Sequence, residues 1–225
     1  MKRTSLFVIA LALSLFAFAS CGTTKSAAFA KMYEEDPLVM LIMPPINNST
    51  NVDAKDYFYT TLNVPLAESG YYVLPPAATL SFLQRNSAYD SEQFIDGDLK
   101  KFGTLFGADV AIFTVIKKWE KSVIGSKVKI QVEYIFKSTK TNEILFDRDA
   151  TISCDTSVNV GGGLVGLLAS AALSAVNTAA TEYVTVAVKC NNNALSDVPL
   201  GKYHTRHGAD GTDSAMYKEV NLSVK

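Results

Sequence analysis

Unbroken apolar runs, helical spacing and strict alternation follow one another along this chain, and each pattern predicts an element. Pro37 to Met43 is an apolar run stopped by Pro44-Pro45, the mark of a short strand buried on both faces. The loop Ile46 to Asn51 follows, with Asn and Ser side chains suited to turns and helix caps. Between Asp53 and Ser69, the residues Phe58, Tyr59, Leu62 and Leu66 fall at helical spacing, which predicts an amphipathic helix bent at Pro65 and closed by Gly70. Tyr71 to Leu74 reads as a second short strand, and Pro75-Pro76 opens a helix through Leu83. Ser91 to Gly107 reads as a further helix carrying Phe94, Leu99, Phe102, Leu105 and Phe106, and Val110 to Ile116 as a third buried strand.

The period then changes. Val128, Ile130, Val132, Tyr134 and Phe136 alternate with Lys129, Gln131 and Glu133, as in a half-exposed strand. Ser138 to Asn142 supplies a turn, and Glu143 to Ser153 returns as the hairpin partner. Together these patterns predict an α/β protein of the α+β kind, in which a mixed sheet with a hairpin in its C-terminal half packs against helices. One domain over residues 37–190 accommodates them all.

From Thr156 to Thr181 no residue is charged. Gly161-Gly162-Gly163 leads into Leu164, Val165, Leu167, Leu168 and an alanine-rich stretch. The reading adopted is a buried helix over residues 161–189, entered through a glycine loop; a membrane-inserting segment or an interface between two copies of the chain, making a homodimer, are the alternatives. The glycines do not form a phosphate loop, because Gly161 to Gly166 lacks the Lys-Ser/Thr that such a loop requires. Beyond Cys190 the chain turns polar, so residues 191–225 are expected to form an extended C-terminal tail.

The first 20 residues have a pattern of their own. Lys2 and Arg3 precede an apolar run from Leu6 to Phe18, shorter than the ~20 residues a spanning helix needs. This is a secretory signal. It ends in Phe18-Ala19-Ser20-Cys21, which resembles the lipobox of bacterial lipoproteins, with Phe18 where many have Leu. Cys21 is then the lipid attachment site and mature N-terminus, followed by a tether over residues 21–36. Gly22 is not the aspartate that holds enteric lipoproteins at the inner membrane, so the expected location is the outer membrane, periplasmic face.

Charge and cysteines add two constraints. Once Lys2 and Arg3 leave with the signal, the formal charge of −1 becomes about −3, which argues against a nucleic-acid partner. Cys154 and Cys190 form an even pair in a compartment that permits disulfides; they are either bonded or two buried thiols.

Candidate chemistry is sparse. His204 and His207, with Asp210 and Asp213 nearby, lie among glycines without a fixed third ligand, so no metal is assigned. No glycine-framed serine elbow occurs, no histidine stands near a nucleophile, and no cofactor motif is present. The expectation is a non-catalytic interaction protein. Its candidate partner surface is Pro44, Pro45, Asn47 and Asn48 together with Leu164 and Leu168. The alternative is an envelope hydrolase whose acid pair or metal site forms only in the fold.

Three stretches carry a resemblance: Pro44 to Thr50, Leu66 to Pro75, and Phe106-Gly107-Ala108-Asp109. The chain is similar over most of its mature length to a family of bacterial lipoproteins of uncharacterised function, one member of which is a meningococcal vaccine candidate. The same pattern resembles the N-terminal domain of TolB and the periplasmic part of CsgG. That resemblance implies a TolB-N-like domain that binds other envelope proteins, with a CsgG-like lipoprotein as partner.

Overall fold

The computed structural model describes residues 22–122, 127–155 and 183–224. Cys21, Leu164, Leu168 and most of the segment read as the 161–189 helix lie outside them. Seven strands form one mixed sheet in the order β3-β1-β4-β5-β6-β7, with β2 also beside β4. The strands are β1 Val39–Ile42, β2 Ile46–Asn47, β3 Tyr72–Val73, β4 Val110–Ser122, β5 Lys127–Ser138, β6 Ile144–Asp155 and β7 Glu219–Val224. The α+β class and the mixed sheet packed against helices are as the sequence predicts.

The prolines divide what is nearly one strand. Ile42 pairs with Ile112 and Ile46 with Val115, so the proline side carries one residue more than β4 does. Proline has no N–H to give the ladder. Met43 and Asn48 nevertheless donate to the carbonyls of Ile112 and Ile116, at 3.0 and 2.8 Å.

The helices are α1 Lys25–Ala28, α2 Ala30–Glu35, α3 Ala54–Thr61, α4 Asn63–Glu68, α5 Pro76–Arg85, α6 Lys100–Phe106 and α7 Tyr183–Ala194. Two expected helices differ. The Asp53–Ser69 helix breaks at Leu62, because the ring of Pro65 excludes the carbonyl of Thr61, four residues before it. Ser91 to Gly107 is helical only as a short 3₁₀ turn at Ser91–Gln93 and then in α6, Gly97 and Asp98 interrupting the ladder between them.

Parallel crossovers put helices on both faces of the β1 end. The main core joins Phe58, Leu62 and Leu66 to Met40, Ile42, Ile112, Ile130, Tyr134 and Ala187. A second core, on the opposite face, holds Leu83, Leu99 and Phe102 against Leu41, Met43, Ala111 and Phe113. Towards β6 and β7, among the described residues, only the main-core face is covered.

The two ends of the described chain overturn two expectations. Residues 21–36 are not a loose tether from Lys25 onward: Phe29 and Met32 are buried, and the Phe29 and Phe146 rings lie 4.9 Å apart. Residues 191–225 are not an extended tail either. α7 runs to Ala194, Leu195 and Val198 are in the core, and β7 pairs in parallel with β6 from Asp149↔Glu219 to Cys154↔Val224. The tail's polarity misleads because its charges are used inside: the guanidinium of Arg148, fully buried, makes two bonds to Asp197, at 2.6 and 2.7 Å.

Candidate interaction surfaces

The three stretches that carry the family resemblance have structural duties in the fold. Pro44 and Pro45 are buried, and the hydroxyl of Ser91 donates to the Pro44 carbonyl at 2.6 Å. As a partner surface they are a correction: the prolines face the core, and only Asn48 of that group is exposed. Asn47 folds the loop on itself, its Oδ1 accepting from Ser49 N–H at 3.1 Å and its Nδ2 donating to the Asn51 carbonyl at 2.7 Å. Gly70 has φ +88°, and a Cβ there would sit 2.4 Å from His204 N. The chain from Leu200 to His204 passes directly over it, with Tyr203 N–H donating to the Gly70 carbonyl at 3.0 Å.

Gly107 closes α6 in the left-handed conformation and turns the chain into β4. Asp109 accepts from the N–H groups of Leu38 and Val39, both at 3.0 Å, and pairs with Lys140 at 2.8 Å. Partial burial works against its charge, but Lys140 and the two N–H groups outweigh that and hold its pKa below the ordinary carboxylate range. A cleft of ≈ 470 Å³ beside it is lined by Lys100, Gly103, Thr104, Ala108, Thr139 and Lys140.

The hairpin face opposite the main core, uncovered among the described residues, presents a built charge cluster. β4 carries a bulge between Ile116 and Lys118, and the extra residue, Lys117, is aimed across the sheet. Its Nζ lies 2.9 Å from Glu133 and 2.6 Å from Asp149. Burial opposes the ammonium charge, yet the two carboxylates raise its pKa above the usual lysine value. Gln131 donates to Asp149 at 3.3 Å. A cleft of ≈ 200 Å³ runs from these residues to Glu219, Val220 and Asn221 of β7. β7 is the edge strand of the sheet among the described residues, with Glu219, Asn221 and Ser223 exposed.

The N-terminal segment is sewn to the C-terminal one. Ala215 N–H donates to the Thr23 carbonyl at 2.8 Å, Lys25 N–H to the Asp213 carbonyl at 2.9 Å, and Ser26 N–H to the Gly211 carbonyl at 3.0 Å. Lys25, buried, reaches Asp210 at 3.3 Å. The histidines belong to the same region: His204 accepts from Arg206 N–H at 3.0 Å, and His207 contacts the Leu200 carbonyl and Asp36. Among the described residues no three His, Cys, Asp or Glu side chains converge as a metal site. Asp90 and Glu92 share a hydrogen bond that lowers the first pKa and raises the second, on an outer turn where Glu92 is exposed.

Sequence reasoning missed Lys117, Arg148 and β7. Each left a trace. Ile116-Lys117-Lys118-Trp119 spaces two inward residues by three, as a bulge does; Arg148 stands in the inward phase of Phe146, Ala150 and Ile152; and Val220, Leu222 and Val224 alternate with polar residues.

Fold and surfaces define an α+β domain built on one sheet, with a charged open face and an edge strand beside it. The chain belongs to the family described as "Putative lipoprotein GNA1162-like", whose profile matches residues 27–220. A Neisseria meningitidis serogroup B protein described in the same terms is 24% identical over 173 residues, 75% of this chain and 80% of that one. The crystal structure of lipoprotein GNA1162 from Neisseria meningitidis matches at TM-score 0.50 and 24% identity, covering 62% of this chain and 98% of that chain, and shares its fold. Fainter likenesses are to a PelC dodecamer from Paraburkholderia phytofirmans, at TM-score 0.44, 12% identity and 72% and 89% coverage, and to the LpoB C-terminal domain from Salmonella enterica, at 0.38, 15%, 57% and 94%.

Proposed function

We propose that this chain is a lipoprotein held by acyl chains on Cys21 to the periplasmic face of the outer membrane, where it acts without catalysis as an interaction component of an envelope assembly. Membership of a lipoprotein family supports the anchor, and so does the lipobox. Cys21 stands two residues before Thr23, whose carbonyl is already bonded to Ala215. Two residues of chain span at most ~7 Å, so the lipid holds the domain flush with the headgroups and leaves little freedom to swing.

The observation that carries the interaction role is the edge strand β7 beside the Lys117–Glu133–Asp149 cluster. A six-residue edge offers backbone donors and acceptors to an added strand, and the charges next to it fix register and partner. The resemblance to TolB and CsgG supports an assembly role and makes a CsgG-like lipoprotein the proposed partner.

A photoreactive amino acid placed at Asn221 in the full-length protein, irradiated in intact cells, tests this. The expected result is a discrete adduct with an envelope protein, identified by mass spectrometry, that is lost when Cys21→Ser releases the chain from the membrane. A CsgG-like protein or a second copy in the adduct identifies the partner. Absence of any adduct from Asn221, Glu219 and Gln131 in correctly anchored protein contradicts the role.

A further inference from the structure

Cys154 lies in the inward phase of β6, opposite Val128 of β5 and Val224 of β7. Cys190 lies on α7, and both side chains are buried in the main core. They are thiols in this structure, and each side chain is near enough to perturb the ionisation of the other. Two neighbours hold α7 at this approach. Asn191 accepts from Tyr134 Oη at 2.7 Å and donates to Thr61 Oγ1 at 2.8 Å; at the helix start, Tyr183 stacks edge-on against Trp119 with centroids 5.4 Å apart.

We propose that in the exported protein Cys154 and Cys190 are joined by a structural disulfide that ties α7 to the end of β6. The inference rests on the envelope location proposed above. The Cys154 thiolate attacks a disulfide-bearing thiol oxidant, giving a mixed disulfide and one oxidant thiolate. Cys190 gives up its proton and attacks the Cys154 sulfur, expelling the second oxidant thiolate. Two electrons and two protons pass to the oxidant, which leaves as a dithiol.

Because both sulfurs are closed to solvent, this exchange belongs to the folding chain, and the finished bond is a brace that reductant reaches only on unfolding. It closes a loop of about 35 residues, long enough to give a large stabilisation. Its place matters. Asp155, paired with Lys127 at the open end of the hairpin, is where the chain leaves for residues 156–182, and α7 is where it returns. The bond therefore fixes the base of that uncharged segment.

The test is alkylation and mass spectrometry of the full-length protein, taken from envelopes under an acid quench, labelled with maleimide in denaturant before and after reduction. The expected result is no label at Cys154 or Cys190 before reduction, label at both after it, and a melting temperature lower by roughly 5–15 °C in a Cys154→Ala/Cys190→Ala variant. That variant also opens space in the core, where both side chains are buried, so heating the wild-type protein with and without reductant gives the bond's own contribution. Free thiols in protein that carries the Cys21 acyl group overturn the disulfide and leave the anchor standing. Free thiols in protein without that acyl group overturn both.

Discussion

Asp109 shows how much a single side chain ties together. Its carboxylate holds the start of β1 through two N–H groups and the hairpin turn through Lys140. Its folded-state pKa lies below the unfolded value of ~3.9. The stabilisation is therefore complete above that pH and is lost as the pH falls through the folded-state value. In urea titrations between pH 3 and 7, the wild-type protein is expected to lose stability over the acid side of this range. Asp109→Asn is expected to be less stable at pH 7 and to lose less on acidification; a variant with the wild-type acid slope would contradict the assignment. The same residue was visible in the sequence only as part of Phe106-Gly107-Ala108-Asp109, with no clue to what it bonds. Arg148 was less visible still, since a buried charge is recognised only through its partner, and Asp197 is 49 positions away.

At the scale of elements, legibility followed local pattern. The strands around Val39, Val110, Val128 and Ile144, and the helices opened at Ala54 and Pro76, announce themselves through periodicity that spans only a few residues. What failed was set by distant contacts. Lys25 and Phe29 sit in a segment of small and polar residues, and α1 and α2 form because Asp210, Asp213 and Phe146 receive them. β7 depends on β6 for every ladder bond it makes. Gly70 is where such a distant contact enforces a residue type. Gly70→Ala is expected to cost about 2–4 kcal/mol in chemical denaturation, combining a left-handed backbone with a clash against His204. A loss within a few tenths of a kcal/mol would mean that the Leu200–His204 crossing is not tightly held.

For the whole molecule, knitting the two ends together changes what the anchor does. On the proposed Cys21 anchor, a loose tether would let the domain range away from the membrane, whereas a chain docked from Thr23 onward would hold one corner at the bilayer and present β7 and the charged face in a restricted orientation. The candidate surface drawn from sequence, Pro44 to Asn48, was displaced because prolines that look exposed in a loop are packed under Ser91. The open face was illegible because it depends on a bulge and on which side of the sheet the helices leave bare. The anchor is the central claim, and fatty-acid labelling tests it most directly. Cells given an alkyne fatty acid, with and without the signal peptidase II inhibitor globomycin, are expected to yield a labelled mature chain beginning at Cys21. Label is expected to vanish in Cys21→Ser, and precursor to accumulate with the inhibitor. An unlabelled mature chain with a free N-terminus at any other residue would contradict the account.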